Sequence, residues 1–417
     1  MENAKKLLRI TTAGSVDDGK STLIGRLLLE TGSVYSDQIA AATKASEKKG
    51  FKDLDLSLIT DGLAAEREQN ITIDVAYRYL TLDGRRIIIA DVPGHEQYTR
   101  NMVTGASTAD LALILVDAKN GLTNQTQRHL SLLSWLAIPE IAIVVNKMDE
   151  AGYQQDKFEE IVGQSKEMLD RLKSKSFKPV SPSFIPTSAL AGDMVTSRGK
   201  NMPWYNGPTV LEYLKSAEAQ SYEKLPMRLP VQIVLRGNGS ERRYGGRLAS
   251  GGIEVGQEIL CLPSNAPAKI TGIYLGEQKL PGAIAGQSIA ITLDRQLDIS
   301  RGDMFADPAA PPSVSNKFTA DVVWFPLDAS TKNYPYLLKH TTKFSRARHE
   351  NAEPIPSQAK FRDEKSLAFL SAGASFRLKL VSTSPLIYDK YRDNPTTGSF
   401  IFIDEISKNT IAAGFIL

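Results

Sequence analysis

The sequence contains almost no cysteine, with Cys261 alone among 417 residues. One thiol cannot form a disulfide within the chain, so the fold cannot depend on such bridges, and we expect a reducing compartment. Cys261 lies in the apolar run from Ile259 to Leu262. Because a thiol in such a run behaves as a small hydrophobic group, we predict that Cys261 is buried in a strand.

Long hydrophobic runs and an excess of charge are also missing. The longest apolar stretches, from Leu111 to Val116 and from Ile141 to Val145, are far shorter than the roughly 20 residues of a membrane helix. Arg9 interrupts the apolar residues near the N-terminus, which argues against a signal peptide. The net charge of +3 is too small to indicate nucleic-acid binding. We expect a cytoplasmic protein without a membrane or nucleic-acid partner.

The sequence has two regions with different patterns of apolar residues. Up to about Ser216, short apolar runs alternate with longer helical patterns, which is typical of βα units on a parallel sheet. After Pro226, short strands follow one another between glycines, which is typical of small antiparallel barrels. The proline-rich segment from Ala306 to Ser313 indicates a linker. We predict three domains, at residues 1–216, 217–312 and 313–417.

The strongest motif is a GxxxxGK[ST] phosphate loop between a predicted strand, Leu8 to Thr12, and a predicted helix. Its glycines let backbone N–H groups converge on phosphate oxygens, while Lys20 neutralises the β and γ phosphates and Ser21 binds Mg²⁺. A chance match in a chain of this length has a probability of about 1%. The predicted binding residues are Gly14, Ser15, Val16, Asp17, Asp18, Gly19, Lys20, Ser21 and Thr22.

Guanine recognition is predicted from Asn146, Lys147, Met148 and Asp149, which follow an apolar strand. The Asp149 carboxylate can accept two hydrogen bonds from the N1–H and 2-amino groups of guanine, and adenine offers no such pair of donors. Thr187 and the next three residues end another predicted strand. There the backbone N–H groups of Ser188, Ala189 and Leu190 can face the guanine O6, although this short motif is weak in isolation.

The remaining motif begins at Asp91 and continues through Val92, Pro93, Gly94 and His95. Asp91 offers a carboxylate to Mg²⁺ and Gly94 an N–H to the γ phosphate, and His95 stands where GTPases place the residue that orients the attacking water. A lone histidine is more often structural, but this one follows a phosphate-sensing glycine. Upstream, Thr72 is the candidate switch residue that binds Mg²⁺ when a γ phosphate is present, with a core threonine as the alternative.

These motifs occur in one order, each at the end of a predicted strand, where open α/β sheets bind ligands. On them the chain resembles the translational GTPases, and more closely the large, GTPase subunit of bacterial sulfate adenylyltransferases. The matching stretches run from Gly14 to Leu28, Asp61 to Leu63, Glu66 to Asp74, Asp91 to Asp110, Leu248 to Gly251, Asp298 to Asp303 and Phe400 to Asp404. The resemblance implies an α/β P-loop GTPase domain followed by two antiparallel β-barrel domains.

The resemblance also implies a partner and a reaction. In that family a small subunit of the ATP-pyrophosphatase type joins ATP and sulfate into adenosine 5′-phosphosulfate and pyrophosphate, and GTP hydrolysis by the large subunit drives this unfavourable step. GTP and Mg²⁺ are the implied cofactors. Ser21, Thr72 and Asp91 would bind the metal, and Lys20, Thr72 and His95 would take part in hydrolysis.

A few positions depart from the family pattern. Asn70 stands where glycine is usual, Val92 stands where threonine is usual, and the last domain is shorter around Thr341 to Lys365. No second phosphate loop follows, so the adenosine-phosphosulfate kinase that is fused in some relatives is not expected.

Alternatives stay open for the function and for one segment. A subunit of a sulfate-activating enzyme, an elongation factor that delivers charged tRNA and a stand-alone regulatory switch all share the GTPase motifs, and the whole-chain resemblance favours the first. The basic segment from Lys339 to His349 could contact a partner, a nucleotide or RNA, but a solvated strand and loop is the commoner outcome for such a charge run.

Overall fold

The structure is a computed structural model that describes residues 7–48, 50, 53–60, 72, 74–95, 98–172, 182–236, 242–325, 335–354 and 375–417. The chain forms two compact units, Met1–Gln220 and Ser221–Leu417. The helices within the described residues are all too short or too polar to cross a membrane. The α/β pattern lies in the first unit, and the strand-rich pattern lies in the second.

The first unit is built on a six-stranded sheet with the order β2-β3-β1-β4-β5-β6. Its strands are β1 (Leu8–Ala13), β2 (Ala76–Leu82), β3 (Arg85–Asp91), β4 (Leu111–Asp117), β5 (Glu140–Asn146) and β6 (Ser183–Pro186). The strands from β3 to β6 along this order pair in parallel, as predicted. β2, which the sequence does not predict, runs antiparallel to β3 at the edge of the sheet.

Helices surround this sheet. They are α1 (Lys20–Glu30), α2 (Ser36–Lys48), α3 (Thr99–Ala106), α4 (Asn124–Trp135), α5 (Gln155–Leu172) and α6 (Val210–Ser216), with a 3₁₀ turn at Leu56–Ile59. α1 buries Leu23, Ile24, Leu27 and Leu28 on the face that it turns towards the core. β4 is buried along its whole length, which explains its continuous apolar sequence. Because the parallel strands end at one edge, the loops that follow β1, β3, β5 and β6 meet there.

The second unit contains two separate sheet systems. Eight strands form one antiparallel sheet around its own core: β7 (Arg228–Pro230), β8 (Ile233–Arg236), β9 (Arg242–Arg247), β11 (Glu258–Leu262), β12 (Ala266–Leu275), β13 (Gln278–Leu280), β15 (Ser288–Leu293) and β16 (Met304–Ala306), while β10 (Gly252–Glu254) pairs with β14 (Gly282–Ile284). Cys261 is buried in β11, as predicted.

The last six strands close into a barrel with a second core. They are β17 (Ser313–Trp324), β18 (Tyr336–His340), β19 (Lys343–Pro354), β20 (Ser375–Tyr388), β21 (Ser399–Ile403) and β22 (Thr410–Ile416), with the short helix α7 (Pro395–Gly398) after β20. The predicted linker lies between β16 and β17. The division of residues 221–417 into two domains at 312 stays a prediction, because both sheet systems belong to one compact unit.

A buried ion pair joins the eight-stranded sheet to the barrel within this second unit. Arg228 donates from Nε and Nη2 to the two carboxylate oxygens of Asp389, each at 2.9 Å. Thr397 Oγ1 donates to Asp389 Oδ2 at 2.6 Å. Nearby, Asn394 Nδ2 donates to Ser250 Oγ at 2.9 Å. These charged and polar contacts fix the orientation of the barrel against the sheet.

The basic segment from Lys339 to His349 forms the hairpin of β18 and β19. Phe344, Arg346 and Arg348 are exposed, and they alternate with buried Ser345 and Ala347. This alternation is that of an ordinary half-buried strand with one face in water. The neighbouring stretch predicted to be short, Thr341 to Lys365, lies partly outside the described residues, since residues 355–374 are not among them.

Candidate functional site

The phosphate loop runs from the end of β1 to the start of α1. Gly14 has φ +141° and Gly19 has φ +88°. A Cβ atom on Gly14 would lie 2.6 Å from the Leu115 carbonyl oxygen, and one on Gly19 would lie 2.3 Å from Asn146 Nδ2. Only glycine can adopt these dihedral angles and approach the ends of β4 and β5 so closely. The loop is therefore fixed against the edge of the sheet where the other motifs end.

Lys20 begins α1 and is buried. Its ammonium donates to the carbonyl oxygens of Gly14 at 3.2 Å and Ser15 at 2.6 Å. Burial lowers the pKa of Lys20, and the carboxylates of Asp91 and Asp18 oppose this effect. A buried cation beside the helix N-terminus is a favourable place for phosphate oxygens.

Asp18 forms a hydrogen bond within the same loop. Its carboxylate is buried, and Oδ2 accepts a hydrogen bond of 2.6 Å from the Ser15 N–H. Burial raises the pKa of Asp18 to about 6, although the charge of Lys20 opposes the shift. Asp17 is exposed, and Val16 and Thr22 are half-buried. Asp18 thus stabilises the turn of the loop, a contact that the motif alone does not indicate.

Ser21 and Asp91, the two residues predicted to bind magnesium, lie next to each other. Ser21 Oγ donates to Asp91 Oδ2 at 3.4 Å, and Thr12 Oγ1 donates to Asp91 Oδ1 at 3.2 Å. A hydroxyl beside a carboxylate is the oxygen-rich ligand set that Mg²⁺ prefers. Thr72 is half-buried, but residues 61–71 and 73 lie outside the described residues. The metal role of Thr72 and the effect of Asn70 therefore stay predictions.

Gly94 lies directly against the phosphate loop. A Cβ atom on Gly94 would lie 2.7 Å from Lys20 Nζ and 3.0 Å from the Val16 nitrogen. Gln125, in the first turn of α4, donates from Nε2 to the Gly94 carbonyl oxygen. The backbone that follows Asp91 is thus in contact with the groups that would bind the γ phosphate, and the contact of the Gly94 N–H with that phosphate stays a prediction.

The residues on either side of Gly94 have different environments. Val92 and Pro93 are buried, and a Cβ atom on Gly105 of α3 would lie 2.6 Å from Val92 Cγ1. The Val92 side chain, which replaces a usual threonine, therefore packs against α3. His95 is half-buried, with its ring centroid 6.1 Å from that of Tyr98. The water-orienting role of His95 stays a prediction.

Asn146 connects the phosphate loop to the predicted guanine loop. Its Nδ2 donates to the Asp18 carbonyl oxygen at 2.9 Å, and its Oδ1 accepts from the Ala189 N–H at 2.9 Å. Lys147 has φ +59° and forms a 3.0 Å ion pair with Asp117 at the end of β4. Met148 is buried, and its N–H donates to the Thr187 carbonyl oxygen at 3.0 Å. The four-residue motif is thus anchored to both neighbouring strand ends.

Asp149 supplies an unused acceptor. Its Oδ1 is buried and has no hydrogen-bond partner among the described residues. A buried carboxylate oxygen without a donor is destabilising by about 1–3 kcal/mol or more. Two adjacent N–H donors on a planar base would satisfy it. The guanine-binding role of Asp149 stays a prediction, which this environment supports.

The loop after β6 uses several of its amides within the protein. The Ser188 N–H donates to the Asp193 carbonyl oxygen at 3.1 Å, and the Ala189 N–H is bonded to Asn146. Leu190 is 67% exposed. Of the three amides predicted to face guanine O6, two therefore already have protein acceptors, and the assignment of this loop to O6 stays a prediction.

His129 belongs to the site, although no motif marks it. It lies on α4 and is 4% exposed, and its Nδ1 accepts a hydrogen bond of 3.1 Å from the Gly14 N–H. Burial and the charge of Lys20 lower the pKa of His129 to about 3. The ring is therefore neutral near pH 7, which leaves Nδ1 free to accept. Thr123, the N-cap of α4, adds a 2.8 Å contact between its hydroxyl and that of Ser15.

Two family models and a set of solved structures match this chain. Residues 5–224 match the family model of the elongation factor Tu GTP binding domain, and residues 317–417 match that of the GTP-eEF1A C-terminal domain-like family. Among solved structures, sup35 complexed with GMPPNP aligns with 99% of this chain and 94% of its own, at 23% identity and a TM-score of 0.44.

Relatives match the chain from end to end. Sulfate adenylyltransferase subunit 1 of Erwinia tasmaniensis is 43% identical over 417 residues, which are 99% of this chain and 86% of the relative. The subunit 1 of Bacteroides fragilis is 42% identical over 100% of this chain and 87% of the relative. The bifunctional enzyme NodQ of a Rhizobium species is 43% identical, and the chain spans 64% of its length. The chain therefore carries a GTP-binding domain of the elongation factor Tu type and belongs to the sulfate adenylyltransferase subunit 1 family.

Proposed function

We propose that this chain is the GTP-hydrolysing subunit of a heteromeric sulfate adenylyltransferase. In this proposal a separate small subunit of the ATP-pyrophosphatase type joins ATP and sulfate into adenosine 5′-phosphosulfate and pyrophosphate. GTP hydrolysis on this chain drives that reaction. The observation that supports this proposal most strongly is the sequence identity to proteins named sulfate adenylyltransferase subunit 1, which is 42–43% over 99–100% of the chain.

The phosphate end of the site supports GTP hydrolysis. Lys20 would neutralise the β and γ phosphates, since its buried ammonium lies at the start of α1 and donates to the carbonyl oxygens of Gly14 and Ser15 at 3.2 and 2.6 Å. Ser21 and Asp91 would hold Mg²⁺, joined by Thr72 when the γ phosphate is present. The ion would supply positive charge to the phosphate oxygens as charge develops on them. His95 would orient the water that attacks the γ phosphate.

The base end of the site supports guanine over adenine. Asp149 would accept from the N1–H and 2-amino groups of the base through the carboxylate that has an unpaired, buried Oδ1. Asn146 and Lys147 would position that carboxylate through their contacts with the Asp18 carbonyl oxygen and with Asp117. The cytoplasm is the compartment we infer, because GTP, ATP and sulfate-activating partners are expected there and the single thiol needs no oxidising environment.

Coupling to the partner would begin at Gly94. Its backbone would contact the γ phosphate, since a Cβ atom on Gly94 would lie 2.7 Å from Nζ of Lys20, the residue that would neutralise that phosphate. Loss of the γ phosphate would release this stretch, as in other GTPase switches. The adenylyl-transfer step on the small subunit would respond to that change.

A reconstitution experiment tests the proposal. The chain is mixed with a candidate small subunit, ATP, sulfate and Mg²⁺, and adenosine 5′-phosphosulfate is measured with GTP, with a non-hydrolysable GTP analogue and with the His95→Ala variant. We expect adenosine 5′-phosphosulfate to accumulate only when the wild-type chain is given GTP. The wild-type chain binds the analogue, and the His95→Ala variant binds GTP, without releasing the energy of hydrolysis. Equal accumulation without hydrolysis would contradict the proposal.

A further inference from the structure

We infer that Arg26 of α1 is a positioning residue for guanine recognition, because it fixes the peptide planes of the loop that would face guanine O6. This inference rests on the proposed guanine site. Arg26 Nε donates to the Ala189 carbonyl oxygen at 3.1 Å, and Nη2 donates to the Leu190 carbonyl oxygen. The planar guanidinium suits two neighbouring acceptors in a way that the single ammonium of lysine does not.

Holding these carbonyl groups also sets the direction of two amides. In a planar trans peptide the C=O of one residue and the N–H of the next point in opposite directions. Arg26 therefore fixes the Leu190 N–H through Ala189, and the Ala191 N–H through Leu190. The Ala191 N–H donates to Ser188 Oγ at 3.1 Å.

The Leu190 N–H is the amide left for the base. The N–H groups of Ser188 and Ala189 already have acceptors in Asp193 and Asn146. Within the part of the chain that the structure describes, the Leu190 N–H donates to no protein acceptor. The peptide that Arg26 orients is thus the one that carries the donor available for O6.

A second contact strengthens the link between α1 and this loop. Arg26 forms a 3.1 Å ion pair with Glu30, and Glu30 accepts a hydrogen bond from Thr196 Oγ1. The pair therefore holds the loop near both of its ends. α1 also begins with Lys20 at the phosphate end of the site. One helix thus sets the position of the phosphate groups and of the O6 donor together.

A merely structural ion pair would behave differently. Exposed pairs at i and i+4 on a helix contribute little to helix stability, and their loss does not alter base selectivity. The Arg26 side chain is only 19% exposed, and two of its N–H groups donate to carbonyl oxygens of the loop after β6. Its removal should therefore change which base is bound, and this difference separates the two roles.

The test uses nucleotides that each probe one contact. Dissociation constants of the full chain are measured by calorimetry for GDP, for 6-thio-GDP, which keeps the N1–H and 2-amino groups but has a weak acceptor at position 6, and for IDP, which keeps O6 but lacks the 2-amino group. For Arg26→Ala we expect GDP binding to weaken about 10-fold. The preference for GDP over 6-thio-GDP should disappear, and the preference for GDP over IDP should stay.

Two further variants complete the design. Arg26→Lys should give an intermediate preference for GDP over 6-thio-GDP, because one ammonium can hold one carbonyl group well. Arg171→Ala removes an exposed arginine that pairs with Glu167 at the same helical spacing on α5, and it should leave all three constants unchanged. A wild-type 6-thio-GDP ratio in both Arg26 variants would overturn the inference, as would a parallel loss of the IDP ratio. A separate titration of the wild-type chain with ADP tests the guanine site itself, and failure to prefer GDP over ADP would refute that site instead.

Discussion

Asp149 presents a buried carboxylate oxygen that no described residue satisfies, so its chemistry should decide which base is accepted. In Asp149→Asn an amide N–H replaces one acceptor, and it can donate to the 2-oxo group of xanthine but not pair with the 2-amino group of guanine. We expect GDP binding to weaken at least about 10-fold and XDP binding to strengthen. Competition between the two nucleotides measures the change. Asp156→Asn, at an exposed position on α5, is the control, and retained guanine preference in Asp149→Asn would contradict the assignment.

His129 should control how long the nucleotide stays bound. His129→Leu leaves the Gly14 N–H without its acceptor in a buried position, which destabilises the loop by about 1–3 kcal/mol and should speed GDP release roughly 10-fold. His129→Asn can place an amide oxygen near the position of Nδ1 and should restore slow release. Fluorescent-GDP dissociation provides the measurement. Wild-type release from the Leu variant would refute this role.

The same histidine should make stability depend on pH. The pKa of His129 is about 3 in the folded protein against an ordinary value of 6.5, so the unfolded chain binds the proton more readily between these values. Stability from this group is therefore complete above pH 6.5 and is lost as the pH falls towards 3. The His129→Leu variant should lose less stability than wild type between pH 6.5 and 5, by at most about 2 kcal/mol.

Local motifs indicate individual site residues at the strand ends. They do not indicate contacts between residues that are far apart in the sequence. Lys20, Ser21 and Asp91 are recognisable because their chemistry follows from residue type and position behind a strand. His129 contacts Gly14 across 115 residues, and Arg26 contacts Ala189 across 163 residues. Each appears in the sequence as an ordinary polar residue of an amphipathic helix. Only the packing of α4 and α1 gives them their partners.

At the scale of elements, two helical glycines should respond oppositely to alanine. A Cβ atom on Gly25 of α1 would lie 2.2 Å from the Leu56 carbonyl oxygen, whereas one on Gly163 of α5 meets nothing within 4 Å. Alanine favours an exposed helix by up to about 1 kcal/mol over glycine, so Gly163→Ala should raise the melting temperature of the first unit by about 2–4 °C. Gly25→Ala should lower it, because backbone atoms must separate. Calorimetry of both variants tests this, and stabilisation by Gly25→Ala would show that α1 does not pack closely on the 3₁₀ turn.

Strand predictions succeeded where burial is complete and failed where it is partial. β4 and β5 were predicted from continuous apolar runs, since both of their faces are covered. β2 was missed, because exposed Tyr77 and Tyr79 alternate with less exposed neighbours on an edge strand. A strand with one solvated face has a weaker apolar signal, and its antiparallel direction depends on the short turn that joins it to β3.

At the scale of the whole molecule, the ion pair between Arg228 and Asp389 should hold the second unit together. Both side chains are largely buried, and removing one partner of such a pair typically costs about 3–5 kcal/mol. We expect Arg228→Leu to lower the unfolding temperature of residues 221–417 markedly. Arg346→Leu, which breaks the solvent-exposed pair with Glu405, should change it little. Equal effects of the two substitutions in calorimetry would contradict the role of the buried pair.

The sequence predicts that an α/β part precedes a strand-rich part. It does not predict that the strand-rich part forms one compact unit. Arg228 and Asp389 lie 161 residues apart, on opposite sides of the proline-rich segment that indicates a linker. A linker composition reveals where strands stop. It does not reveal that buried polar side chains bond across the junction, because that depends on how the two sheet systems face each other.

Our principal expectation is that the strand ends of the first unit bind guanine nucleotide together with magnesium. Its most direct test is isothermal calorimetry on the folded chain, titrated with GTP and with ATP in the presence and absence of Mg²⁺. We expect GTP to give binding heat, with tighter binding in the presence of Mg²⁺, and we expect no comparable heat from ATP. Absence of heat from GTP with Mg²⁺, or equal binding of ATP, would contradict it.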